Sequence, residues 1–208
     1  MDLLDLHPAR LSLEDQIRLL RETLGSNPVL VDVLHRAAEL ALPGWYLTAG
    51  CLVQTVWNAM TGRAPTAGIK DYDLFYFDDS DLSWAAEDAV IRSGADAFAG
   101  IDAQVEIRNE ARVHLWYAQR FGIPCPTYAS TEEAIDSFPV STCCVGVRLD
   151  PDTERWRTYA PHGLSDVFGL VLRPNMSGVA PREVYLSKTA RWLREWPELR
   201  VIPWPDSR

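Results

Sequence analysis

Asp71 and Asp73, separated by Tyr72, stand immediately ahead of the apolar run Leu74-Phe75-Tyr76-Phe77. Residues two apart on a β-strand project to the same side, so this spacing aims two carboxylates together. With Cα atoms roughly 7 Å apart, the two charges repel by about 2 kcal/mol at an effective dielectric of about 20. A divalent cation turns that repulsion into attraction. Two such ions, Mg2+ or Mn2+, bridging both carboxylates and a set of phosphates would form a phosphoryl-transfer site. The plainer reading is a pair of exposed turn acids entering a strand, and the acid pair by itself does not separate the two.

The surrounding elements decide what the acids can do. Trp45 to Gly50 reads as a short strand ending on small residues, and Cys51 to Gly62 as a helix with Leu52, Val56, Ala59 and Met60 on one face. Thr48, Ala49, Gly50 and Cys51 then form a strand-to-helix turn. Gly50 lets phosphates approach the backbone, and the N–H groups opening the helix face them. A loop over residues 63–70 leads to the aspartate strand, with Phe75 and Phe77 as its expected anchors. Residues 103–109 alternate as a half-buried strand does. The apolar run follows the acids, whereas haloacid-dehalogenase-type phosphatases and many glycosyltransferases end an apolar strand on theirs, so order argues against both.

The rest reads as α+β. Helices are expected over residues 11–24, from Pro28 to about Ala41, from Ser80 to Ser93, around Ala111 to Phe121, over "STEEAIDSF", near Leu164 to Phe168, and from Pro181 to Trp196. "STCCVGVRLD" and "RWRTYAP" read as a hairpin joined by "DPDTE". The 208 residues are expected to form a single domain: amino-terminal helices over 1–42, an α/β core over 44–173, and a carboxy-terminal helix and tail over 174–208.

Composition narrows the function classes. A net charge of −9 disfavours an extended nucleic-acid surface. The four cysteines, Cys51, Cys125, Cys143 and Cys144, form no C-x-x-C pair and read as free thiols. No apolar run approaches a membrane span and no secretory signal is evident, so a cytoplasmic location is expected. No Walker A loop, G-x-S-x-G elbow or matched Cys-His pattern is present.

The stretch "LTAGCLVQTVWNAMTGRAPTAGIKDYDLFYF" resembles the signature of the DNA polymerase beta-like nucleotidyltransferase superfamily, in which a glycine pair ends a strand, a helix follows and D-x-D opens the next strand. "NEARVHLWY", "CVGVRLD", "APHGLSDVFGLVLRPN" and "RWLREWPELRV" extend the resemblance to a bacterial nucleotidyltransferase family over roughly residues 44–202. It implies a small mixed β-sheet flanked by helices, with Gly50-Cys51 at the glycine pair. It also implies a third carboxylate, for which Glu106 is the candidate and Asp102 the runner-up. The implied reaction moves a nucleoside monophosphate from an NTP to an acceptor hydroxyl, releasing pyrophosphate, with two Mg2+ or Mn2+ ions held by Asp71, Asp73 and Glu106. The acceptor, whether an RNA end, a protein or a small molecule, is left open. One departure stands out: relatives often carry Arg-Asn where this chain has Val53-Gln54, which leaves a catalytically degenerate Mg-NTP-binding module or a partner-regulated sensor as the alternative.

Beside Thr48, Gly50 and Cys51, the nucleotide-binding candidates are Lys70, Arg108, Asn109, Arg112 and His114. Lys70, Arg108 and Arg112 would offset phosphate charge, although each also suits a solvated surface. His114 equally suits a structural role, and Arg148 suits either the pocket or an ion pair. On the last helix Arg182, Lys188, Arg191 and Arg194 alternate with Tyr185, Trp192 and Trp196. The aromatics are expected to pack on the core and the cations to face water.

Overall fold

A computed structural model describes residues 7–150, 153 and 155–205. Helices α1 (Leu13–Gly25) and α2 (Pro28–Leu40) lead into β1 (Tyr46–Thr48), α3 (Gly50–Met60) and β2 (Asp71–Tyr76). After α4 (Trp84–Ala97) come β3 (Gln104–Asn109), α5 (Val113–Phe121) and α6 (Thr131–Asp136). The hairpin β4 (Gly146–Leu149) and β5 (Trp156–Tyr159) precedes α7 (Ser165–Phe168), β6 (Val171–Leu172), α8 (Arg182–Glu195) and β7 (Arg200–Val201).

Five strands form one sheet in the order β3-β2-β1-β4-β5, and β6 pairs with β7 separately. The β2–β3 pair is parallel and the other pairs of the large sheet are antiparallel, so the expected mixed sheet is present. The hairpin forms as expected, although Pro151, Asp152 and Glu154 of its turn lie outside the described residues.

Strand β2 alternates strictly. Tyr72, Leu74 and Tyr76 are buried, whereas Asp71, Asp73 and Phe75 are partly exposed on the opposite face. The anchors are therefore Tyr72, Leu74 and Tyr76 rather than Phe75 and Phe77, because period-2 geometry puts Phe75 on the aspartate face. Against the buried face, Leu47, Val147 and Ile107 join Leu20, Leu30, Leu34, Leu52 and Val56 in the main core. Gly94 of α4 packs closely on β3, where an added Cβ would meet the end of the Ile107 side chain.

Some boundaries differ from expectation for local reasons. Helix α4 begins at Trp84, not Ser80, because Asp78 and Asp81 accept from the backbone N–H groups of Ser80 and Ser83 and hold a turn. Ser83 then caps the helix by accepting from Ala86 N. Residues Ser141–Cys143 form a 3-10 turn rather than the start of β4. The four cysteines are free, as expected. Among the described residues, no helix is long and apolar enough to cross a membrane.

Candidate active site

The turn between β1 and α3 brings backbone to the sheet's aspartate face. Its bend falls on Ala49, at φ 57° and ψ −119°, a conformation that favours glycine. The positive φ therefore falls on Ala49, the residue before the expected Gly50-Cys51 pair. A Cβ on Gly50 would lie 3.1 Å from Gln54 Nε2, so its bare backbone borders the cavity beside that amide.

Asp73 stands opposite Thr48 on β1 and in register with Glu106 on β3. Asp71 lies two residues along the same face. Burial, and then the Asp71 charge, push the Asp73 carboxyl up to about 7, with Lys188 the foremost opposing charge. Glu106 accepts from Gln104 Nε2 at 2.9 Å and pairs loosely with Arg108 at 3.5 Å. Asp102 is exposed in the loop before β3.

A cavity of about 220 Å3 joins Gly50, Gln54, Asp71 and Asp73 to Lys188 and Arg191 of α8. These two cations do not simply face water, as expected of them, but border the acid pair. Trp57 packs edge-on against Trp192 and Trp196, with centroids at 5.6 and 5.5 Å, and Trp196 Nε1 donates to Asn58 Oδ1 at 2.8 Å. That aromatic block fixes α8 on α3 and so places Lys188 and Arg191. Val53 is buried in the core, so α3 offers the cavity only the neutral Gln54.

The other candidates are placed differently. The Thr48 hydroxyl is buried and donates to Val145 O at 2.8 Å. The Cys51 thiol is buried against Thr48 O at 3.5 Å, and burial raises it well above its ordinary value. Lys70 is exposed in a neighbouring groove with Asp71 and Arg194. Asn109 is buried, donating to Asp78 O and accepting from Asp78 N and Ala111 N. Arg112 is buried against Glu87 and donates to Leu82 O at 2.9 Å, so its charge is committed. His114 borders neither the Gly50 cavity nor Asp73, and its Nδ1 is buried with no hydrogen-bond partner among the described residues. Arg148 stacks over Tyr46 at 4.9 Å and lines a different cavity from that of Asp71 and Asp73. Arg108 does remain beside Glu106, on the acid face.

A nucleotidyltransferase family profile matches residues 35–201, most of the chain. The chain belongs to this nucleotidyltransferase family. The fold agrees: a protein whose NMR structure reveals a CCA-adding enzyme head domain superposes with a TM-score of 0.73, over 89% of this chain and 95% of that one, at 22% identity. Comparison with curated proteins gives no match.

Asp71, Asp73 and Glu106 offer carboxylate oxygens on one face of the sheet, the donor type that a hard divalent cation takes. Among the described residues no three His, Cys, Asp or Glu side chains gather closely enough to hold a metal ion by themselves. An ion here would complete its shell with phosphate oxygens and water, as Mg2+ commonly does.

Proposed function

We propose that this nucleotidyltransferase transfers a nucleoside monophosphate from an NTP to an acceptor hydroxyl, releasing pyrophosphate. The observation carrying the reading is that Asp73, with Asp71 beside it and Glu106 across from it, shares one cavity wall with the Gly50 turn and Lys188. In this reading Asp71, Asp73 and Glu106 hold Mg2+ or Mn2+, which when bound neutralises phosphate charge and favours the ionised acceptor hydroxyl. Lys188 and Arg191 bind the β- and γ-phosphates beside the Gly50 backbone. Glu106 orients the acceptor hydroxyl and takes its proton. Catalysis then rests on positioning and charge neutralisation, as phosphoryl transfer does.

A second reading, a silent Mg-NTP-binding module, draws on Gln54, the uncharged side chain that α3 turns to the cavity. Lys188 and Arg191 supply the missing charge from another helix, which favours the enzyme. Equilibrium binding of Mg-NTP to Asp71→Ala and Asp73→Ala tests the site: each is expected to lose the metal-dependent part of the affinity. Wild-type affinity in both would remove the assignment.

A further inference from the structure

Beyond Asp73 the acid face opens into a second cavity of about 270 Å3. Its lining brings Asp73, Glu106 and Glu110 together with the aromatic side chains of Trp116, Tyr117, Tyr128 and Phe138. Glu110 is only 5% exposed. Its carboxyl has no hydrogen-bond or ion-pair partner among the described residues, and only the charges of Asp73 and Arg108 are felt there. The neighbours in its 3-10 turn are locked: Asn109 accepts from Ala111 N, and Arg112 is tied to Glu87 and Leu82 O. The turn therefore holds Glu110 against the cavity with no partner of its own.

The Glu110 oxygens are not among the fully buried polar atoms that lack a partner, so they open onto the cavity and depend on what fills it. An apolar ligand would leave the Glu110 carboxyl unsatisfied; burial and the Asp73 charge keep it protonated up to about pH 8, and a cationic group would favour its ionised form. A protonated amine would satisfy it, and the aromatic walls add favourable faces for a cation. Two cations also line the cavity: Arg108, which pairs loosely with Glu106 and acts on Glu110, and Lys188, which borders the Gly50 side as well.

We propose that this pocket seats the acceptor and that the acceptor is a compact organic amine bearing a hydroxyl. Its apolar body lies against Trp116 and Tyr128, its ammonium group meets Glu110, and its hydroxyl sits beside Asp73 and Glu106. The role as acceptor rests on the nucleotidyl-transfer reading above; the amine specificity does not. In transfer, the hydroxyl oxygen bonds to the α-phosphorus as the bond from that phosphorus to the bridging oxygen of pyrophosphate breaks. Pyrophosphate leaves with the electron pair, and the hydroxyl proton passes to Glu106.

The test is calorimetric binding of tyramine and of its neutral counterpart N-acetyltyramine to the full chain, first without nucleotide. Tyramine is expected to bind wild type at least about tenfold more tightly. Glu110→Gln is expected to abolish that preference, and Trp116→Leu to weaken both ligands alike. Thermal unfolding of each variant checks that it is folded. Equal affinity for the two ligands in wild type, an undiminished preference in Glu110→Gln, or no binding of tyramine at millimolar concentration would each overturn the proposal. Mg-NTP binding, measured separately, keeps the two readings apart: its absence beside a Glu110-dependent tyramine preference would overturn nucleotidyl transfer and leave the amine site standing.

Discussion

Asp73 on β2 and Glu106 on β3 are register partners across a parallel strand pair, which sets their side chains on one face of the sheet. The relation concentrates negative charge where burial already raises Asp73. Such a site costs stability when empty and gains it when a cation arrives. Asp73→Asn is therefore expected to raise the stability of the metal-free protein by about 1–3 kcal/mol at pH 8. The same change is expected to remove the rise in melting temperature that Mg2+ with NTP gives wild type. Denaturant and thermal melts with and without Mg-NTP check both halves.

Lys188 and Arg191 reach the acid cavity from α8. Lys188→Met is expected to weaken NTP binding by about tenfold, the loss of one charge-assisted contact. Arg182→Met, at an exposed position at the start of the same helix, serves as the control and is expected to change affinity less than about twofold. Fluorescence titration with an NTP analogue distinguishes the two.

Arg112 and Glu87 form a buried ion pair whose loss acts on the fold. Arg112→Ala leaves the buried Glu87 carboxylate without its cation, with only the Asn109 N–H donating to it, and is expected to cost about 3–5 kcal/mol. Replacing both by leucine is expected to recover much of that loss while Mg-NTP affinity stays near wild type. A double-mutant cycle by urea unfolding, with binding measured on the folded variants, reads this out.

Burial, with Asp73 adding to it, pushes the Glu110 carboxyl up to about 8 from an ordinary 4.5. The folded state then binds the Glu110 proton more tightly than the unfolded state. Its contribution to stability is greatest below about pH 4.5 and is lost as pH rises through about 8. Glu110→Gln is expected to flatten this fall by an amount on the order of a few kcal/mol. Urea midpoints of wild type and Glu110→Gln at pH 5 and pH 8.5 check the sign: the variant gains relative to wild type only at the higher pH.

The strand-turn-helix unit and the acid pair were legible because they are local. Period-2 alternation fixes which way Asp71 and Asp73 point, and the same alternation in residues 103–109 puts Glu106 on a matching face. The contribution of α8 was not legible. Lys188 reaches Asp73 only through the packing of Trp57, Trp192 and Trp196, and no local pattern reports that contact. Ala49 hid the bend because alanine gives no sign of positive φ. In "NEARVHLWY", Asn109 and Arg112 have the residue types of a binding site, but buried hydrogen-bond networks use the same types. Glu110, lying between them, borders the cavity, and its partnerless burial is visible only in three dimensions.

The central claim is tested most directly by pyrophosphate release. Wild type and Asp73→Asn would be incubated with Mg2+ or Mn2+ and each NTP, with pools of small molecules, RNA and protein as acceptors. The account predicts metal-dependent release by wild type with at least one acceptor pool, falling by at least about a thousandfold in Asp73→Asn. Equal release by both proteins, or none from a wild-type protein that binds Mg-NTP, would contradict it.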